Sequence, residues 1–131
     1  MNSKGKKIKI CGLTRREDIL AVNTWKPDYA GFVFAPGKRR LTGTKAQELR
    51  ELMLPEIPAV GVFVNSPIED ILSLTGKGII DLIQLHGDED RDYLMELKSC
   101  LAPGFPVIKA IRVRQAEDRK EAENLPADFL L

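Results

Sequence analysis

Short aliphatic runs recur along the chain, spaced by twenty to thirty residues. They cover 8–11, 29–34, 59–64, 82–86, 107–113 and 128–131, and they read as strands. The segments between them carry apolar residues at helical spacing. Ile19 and Val22 mark the first, and Ala46, Leu49 and Leu52 or Met53 the second. Leu94 and Leu97 carry the fourth, and Ala116 and Ala122 a weaker, charge-rich fifth. Thr14-Arg15-Arg16-Glu17 fits a capping box for the first helix, and Thr44 with Gln47 fits one for the second. Ser66-Pro67-Ile68-Glu69 predicts a third helix with an N-cap serine and proline at its first position. Pro and Gly fall mainly in the connections, as at Pro36-Gly37 and Pro103-Gly104.

Strands alternating with helices predict a parallel sheet with helical crossovers. Two architectures then compete, an open doubly wound sheet and a closed (β/α)8 barrel. Gly12 stands alone after the first strand, so the glycine fingerprint of a dinucleotide fold is missing, and no Walker-type loop occurs. Residues two apart on a strand share a face. Lys9 and Cys11 share one, Gln84 and His86 share another, and Lys109 is the lone polar residue of its run. An open sheet covered by helices on both sides should be apolar on both faces. Polar residues inside three strands favour the barrel, although lysines snorkelling from an edge would give the same pattern. A barrel needs eight strands and this pattern supplies six, the last a bare aliphatic run. The expectation is one partial barrel domain over residues 1–131, with about six strands and five helices, and with strands seven and eight missing. Its interior residues, such as Phe63, Gln84 and Lys109, should then be exposed.

Length and composition change this picture little. The chain has 131 residues, is 44% hydrophobic and 30% charged, and carries a formal net charge of +1. That suits one domain with a real core and excludes a strongly basic nucleic-acid or membrane-surface protein. The lysines at 4, 6, 7 and 9 read as a solvated terminus. No run approaches the ~18 apolar residues of a membrane span, and no signal peptide precedes the first strand, so the expected compartment is the cytoplasm. Cys11 and Cys100 lie far apart without metal-type spacing and are expected as free thiols.

Candidate chemistry follows from the barrel, which places functional groups at the C-terminal ends of its strands. Cys11, Asn65 and His86 fall there. A thiolate at Cys11 could abstract a proton, and a small residue packed at a turn is the alternative. His86, the single histidine, reads either as a ligand-lining side chain or as a hydrogen-bonded structural one. Nothing gathers around it to make a metal site. In Lys38-Arg39-Arg40 an arginine could grip a carboxylate or phosphate, or the run could be a solvated basic turn. Cys100, late in a helix, reads as packing.

KICGLT, GFVFAPGKRRLT, VGVFVN, IQLHGDE and VIKAI follow one another in this order. Together they resemble the successive strand-end motifs of the phosphoribosylanthranilate isomerases of tryptophan biosynthesis, over residues 7–131. The resemblance implies a (β/α)8 barrel that needs no metal or cofactor. The implied reaction is an Amadori rearrangement of N-(5′-phosphoribosyl)anthranilate to 1-(2-carboxyphenylamino)-1-deoxyribulose 5-phosphate. It implies Cys11 as the general base and Arg39 as the holder of the anthranilate carboxylate. Gln84 and His86 would lie near the substrate. The family's loop usually has serine two residues before the arginine, where this chain has Gly37, so Arg40 stays open as the substrate arginine. The family's general acid, an aspartate after an aliphatic pair on strand six, would fall just past Leu130-Leu131. Asp128 lies at the wrong end of that strand, roughly 10 Å from the mouth. The phosphate-gripping loops after strands seven and eight are likewise not in the 131 residues. The expectation is therefore the N-terminal part of an isomerase. The alternative is a non-catalytic partial barrel that needs a complementary fragment, or that self-associates through its open sheet edges.

Overall fold

A computed structural model of the chain describes residues 7–110 and the backbone of 129–130. The order of elements is β1 (Lys9–Cys11), α1 (Arg16–Trp25), β2 (Tyr29–Val33), α2 (Gly43–Leu52), β3 (Ala59–Phe63), α3 (Ile68–Gly76), β4 (Leu82–Leu85), α4 (Arg91–Cys100), β5 (Val107–Lys109) and β6 (Phe129–Leu130). All pair in parallel, and their order across the sheet is their order in sequence. Right-handed crossovers that never reverse direction put every helix on the same face. An open doubly wound sheet would need a reversal. The fold is thus an α/β partial barrel.

The strands sit where the aliphatic runs predict them: β1 ends at Cys11 as expected, β2, β3 and β4 each end one residue earlier, and β5 stops at Lys109. The predicted fifth helix, residues 111–113 of the fifth run, and Asp128 and Leu131 lie outside the described residues. The caps differ more. Asp18, not Glu17, closes the first turn of α1, accepting the N–H groups of Thr14 and Arg15 at 3.0 Å each. Thr42, not Thr44, caps α2, its hydroxyl accepting the Lys45 N–H at 3.1 Å. Helix α3 starts after Pro67, and Ser66 makes no side-chain cap. A Ser/Thr followed three residues on by Glu/Gln is a short pattern, and neighbouring residues compete to fulfil it. Cys100, expected to pack, ends α4 exposed.

One core lies between sheet and helices. Ile19 and Val22, Ala46 and Leu49, Ile71 and Leu74, and Leu94 and Leu97 pack there onto alternate strand residues such as Phe32, Phe63, Ile83 and Leu85. On the other face Val60, Val62 and Leu82 form a smaller cluster with Tyr29, Val33 and Ile108. This second face is curled. Lys9 on β1 donates a hydrogen bond from Nζ to Gln84 Oε1 on β4. On a flat sheet these strands would lie ~14 Å apart with side chains standing parallel, out of each other's reach. The polar residues split between the faces. Gln84 and Lys9 point into the concave side. Lys109 pairs in register with Leu85, and Phe63 also lies toward the helices. The expectation that Phe63, Gln84 and Lys109 are exposed interior residues is therefore wrong: all three are buried. Two belong to the helix side, and Gln84 is covered across the curl.

Candidate active site at the C-terminal ends of the strands

Cys11 ends β1 on the concave face, exposed. It is paired in register with Gly31 of β2, and a Cβ on that glycine would come within 2.7 Å of the Cys11 Sγ. The thiol thus lies over its neighbouring strand because that strand has no side chain there. The next residue, Gly12, turns the chain out of the sheet with φ 80°, where a side chain would be strained. Arg39, from the loop after β2, lies against it: a Cβ on Gly12 would come within 2.7 Å of Arg39 Cδ and Nη1. Two motifs 28 residues apart, the strand-end cysteine and the basic loop, are thereby brought to one place. Arg40 is tied through its backbone N–H to the Gly37 carbonyl at 3.3 Å. Behind the turn, Asp18 is held ionised below the usual carboxylate range, chiefly by the Thr14 N–H, and this fixes the start of α1.

The ends of β3, β4 and β5 are built differently. Glu89, just ahead of α4, is wholly buried and sends both oxygens into bonds. Oε1 accepts the Gly87 N–H at 2.9 Å and Lys109 Nζ at 2.7 Å, and Oε2 accepts the Asn65 N–H at 2.8 Å. The two side chains of this ion pair are 0% and 5% exposed. Lys109 also donates to the Gly87 carbonyl at 2.6 Å. Asn65 takes a left-handed backbone, φ 49°, and its Oδ1 accepts the Asp88 N–H at 2.8 Å. Burial pushes the Glu89 carboxyl up, but the bonds from Lys109 and the Asn65 N–H outweigh it and hold it below its ordinary value. From α4, Tyr93 donates its hydroxyl to the Ser66 carbonyl at 2.6 Å. Burial first, then the carboxylates of Glu89, Asp70 and Glu96, push that phenol up to about 12, so it stays a donor.

His86 stands exposed on the rim between these parts, its backbone N–H held by the Phe63 carbonyl at 2.8 Å. Gln84 lies below the rim, buried, with its oxygen taken by Lys9. Asn65, a strand-end candidate, spends its side chain on the β4–α4 loop. The Glu89–Lys109 pair was missed by sequence reasoning. Its signals were a single lysine in an aliphatic run and a carboxylate three residues past a strand-end histidine, but neither names its partner. Among the described residues, no three His, Cys, Asp or Glu side chains group as a metal site, and no helix is long and apolar enough to cross a membrane.

A sequential parallel sheet curled around polar groups, with an exposed thiol ending one strand and an arginine lying against the residue after it, defines a protein of the β/α-barrel class. Residues 8–131 match the family described as N-(5′phosphoribosyl)anthranilate (PRA) isomerase, and the chain belongs to that family. It is 50% identical over 125 residues to the N-(5′-phosphoribosyl)anthranilate isomerase of Lachnoclostridium phytofermentans, covering 95% of this chain and 56% of that protein. To the Endomicrobium trichonymphae enzyme of the same name it is 48% identical, covering 60% of it. The crystal structure of phosphoribosyl anthranilate isomerase from Thermus thermophilus superposes with a TM-score of 0.81 at 34% identity, over 95% of this chain and 60% of that one. A further isomerase structure, in complex with reduced 1-(o-carboxyphenylamino)-1-deoxyribulose 5-phosphate, gives a TM-score of 0.77 at 36% identity, over 90% and 59%. The chain thus spans somewhat more than half the length of the relatives it matches.

Proposed function

We propose that this chain carries the base-bearing portion of an isomerase that converts N-(5′-phosphoribosyl)anthranilate to 1-(2-carboxyphenylamino)-1-deoxyribulose 5-phosphate in tryptophan biosynthesis, in the cytoplasm. The observation behind this reading is the placement of Arg39 against Gly12, one residue from the exposed Cys11 thiol. A substrate whose carboxylate is gripped by Arg39 in two-pronged fashion would present its sugar carbons to Cys11. An acid protonates the furanose oxygen, the C1′–O bond breaks, and the nitrogen lone pair forms the C=N⁺ of a Schiff base. The Cys11 thiolate then takes the C2′ proton. The C–H electrons form C1′=C2′ as the C=N⁺ pair returns to nitrogen, and the enolamine ketonises to product. Gln84 supports the concave face through Lys9, and His86 lines the rim. None of the described residues is assigned as the acid.

On this reading the catalyst includes a complementary segment corresponding to the part of its relatives that the chain does not span. An isomerase assay that follows loss of the fluorescent anthranilate substrate tests this directly. Activity should appear when the chain is joined to, or mixed with, the uncovered part of the Lachnoclostridium phytofermentans relative, and should depend on Cys11. A well-folded assembly with no turnover would defeat the reading.

A further inference from the structure

Among the described residues, no hydrogen bond or ion pair holds the Cys11 thiol or the Arg39 guanidinium, and both groups are exposed. A surface cysteine has three staggered rotamers to sample and an arginine many more. What limits these two is packing on glycine. Gly31 pairs in register with Cys11, and a Cβ there would come within 2.7 Å of Sγ and 3.1 Å of Cα. The sulfur therefore occupies space that any side chain on β2 would take, and one staggered step away would move it by roughly 3 Å. A Cβ on Gly12 would come within 2.7 Å of Arg39 Cδ and Nη1 and 3.4 Å of Nε, so the arginine rests on the bare backbone of that residue. The φ of 80° at Gly12 does not by itself bring a side chain there. Gly78, just past α3, has φ 71° and only open space where its Cβ would be.

A group that has to meet a ligand gains from a fixed position but cannot give its bonds to the fold, and packing on a backbone without a side chain meets both needs. We propose that Gly31 and Gly12 are positioning residues of the isomerase reaction. Gly31 sets the thiol against the sugar carbon and so governs turnover. Gly12 sets the guanidinium against the carboxylate and so governs substrate binding. The inference rests on the isomerase reading and deepens it, adding two residues that act only through the room they leave. Because the displaced atoms belong to exposed side chains, a methyl at either position should move the site group and leave the fold. At Gly31 the Cys11 Cα need give only a few tenths of an ångström.

Three variants are assayed in the isomerase assembled from this chain and the uncovered part of the Lachnoclostridium phytofermentans relative. Gly31→Ala should lower kcat about ten- to hundredfold, the scale of a misplacement of about an ångström, and leave KM within about twofold. Gly12→Asn adds a Cβ at little backbone strain, because asparagine tolerates the left-handed region. It should raise KM about tenfold, the scale of a lost charge-assisted hydrogen bond, and leave kcat within about twofold. Gly78→Asn should match the parent in both. Each effect should vanish where the seated group is gone: Gly31→Ala on Cys11→Ala, and Gly12→Asn on Arg39→Ala, should each add less than about twofold. Parental kinetics in either variant, effects that add fully in those backgrounds, or a Gly12→Asn loss that falls on kcat would overturn the proposal. So would loss of helical circular dichroism in either variant, since the fold and not the side chain would then have given way. Chemical modification of the chain itself tests the seats apart from turnover. Gly31→Ala should change the iodoacetamide rate of Cys11 severalfold while Cys100 keeps its own, and Gly12→Asn should speed phenylglyoxal modification of Arg39 relative to Arg40. Those changes beside an assembly without turnover would count against the isomerase reading and leave the seats standing. Unchanged rates would overturn the seats whatever the turnover.

Discussion

Two stretches of the same rim are built on opposite terms. At β1 and β2 the groups are exposed and lightly tied: Cys11 lies over a glycine, and Arg39 rests on another. At β3, β4 and β5 the groups are buried and tied on every side, with Glu89 accepting from Gly87, Asn65 and Lys109. The first region presents an exposed thiol and an exposed guanidinium. The second has neither, and its bonds hold the loops that frame the first. A side chain that has to meet a substrate cannot spend its bonds on its own fold, whereas a buried ion pair must spend all of them to offset desolvation. On the proposed function, chemistry falls to the open side and positioning to the closed side.

Substitutions should separate the two sides, the largest effects first. In an assembled isomerase containing this chain, Cys11→Ala should lower turnover roughly 10²–10⁴-fold, the typical worth of a positioned acid or base, with an unchanged circular dichroism spectrum. Near-parental turnover would remove Cys11 from the mechanism. Lys109→Met belongs to the closed side and should act on the fold. It leaves Glu89 buried without its cation, at a cost of about 3–5 kcal/mol in urea unfolding. If stability holds and only turnover falls, the division between the two sides is misdrawn. Arg39→Ala should raise KM roughly ten- to hundredfold, as expected for a lost hydrogen-bonded charge, without moving the urea midpoint. A larger effect from Arg40→Ala would transfer the carboxylate contact to that residue.

The smallest effect is the pH dependence that the closed side contributes through Glu89. The Glu89 carboxyl is held below its ordinary value of 4.5 in the folded chain. A depressed folded value contributes stability that is present above the unfolded value and is lost as pH falls through the folded one. The urea midpoint should therefore decline from just above pH 4.5 downward, and Glu89→Gln should flatten that decline. A Glu89→Gln chain with the same acid slope as the parent would place the acid lability elsewhere.

Much of this was legible in the chain itself. Aliphatic runs separated by helical periods fixed the strands, because burial on both faces of a parallel strand admits little else. Helices α1, α2 and α4 follow their apolar positions at Ile19 and Val22, Ala46 and Leu49, and Leu94 and Leu97, and α3 follows its start signal at Pro67-Ile68-Glu69. The motif order pointed to the family, and Cys11 fell at a strand end as its motif required. Strand parity also grouped Gln84 with His86 and Lys9 with Cys11. Parity cannot say which group faces in, so Lys109 was placed on the concave side when its register with Leu85 puts it among the helices. Caps were misplaced by one or two residues, since Thr42 and Thr44, or Glu17 and Asp18, are nearly equivalent in local chemistry.

The sequence by itself determined the described elements, their parallel order and the place of a thiol at a strand end, since these depend on periodicity and on residues close together in the chain. Only the tertiary structure decided the pairings. Lys9 with Gln84, Gly12 with Arg39 and Glu89 with Lys109 join residues 75, 27 and 20 positions apart. Such contacts depend on how far the sheet curls and on which face each strand turns inward, and no local pattern encodes either.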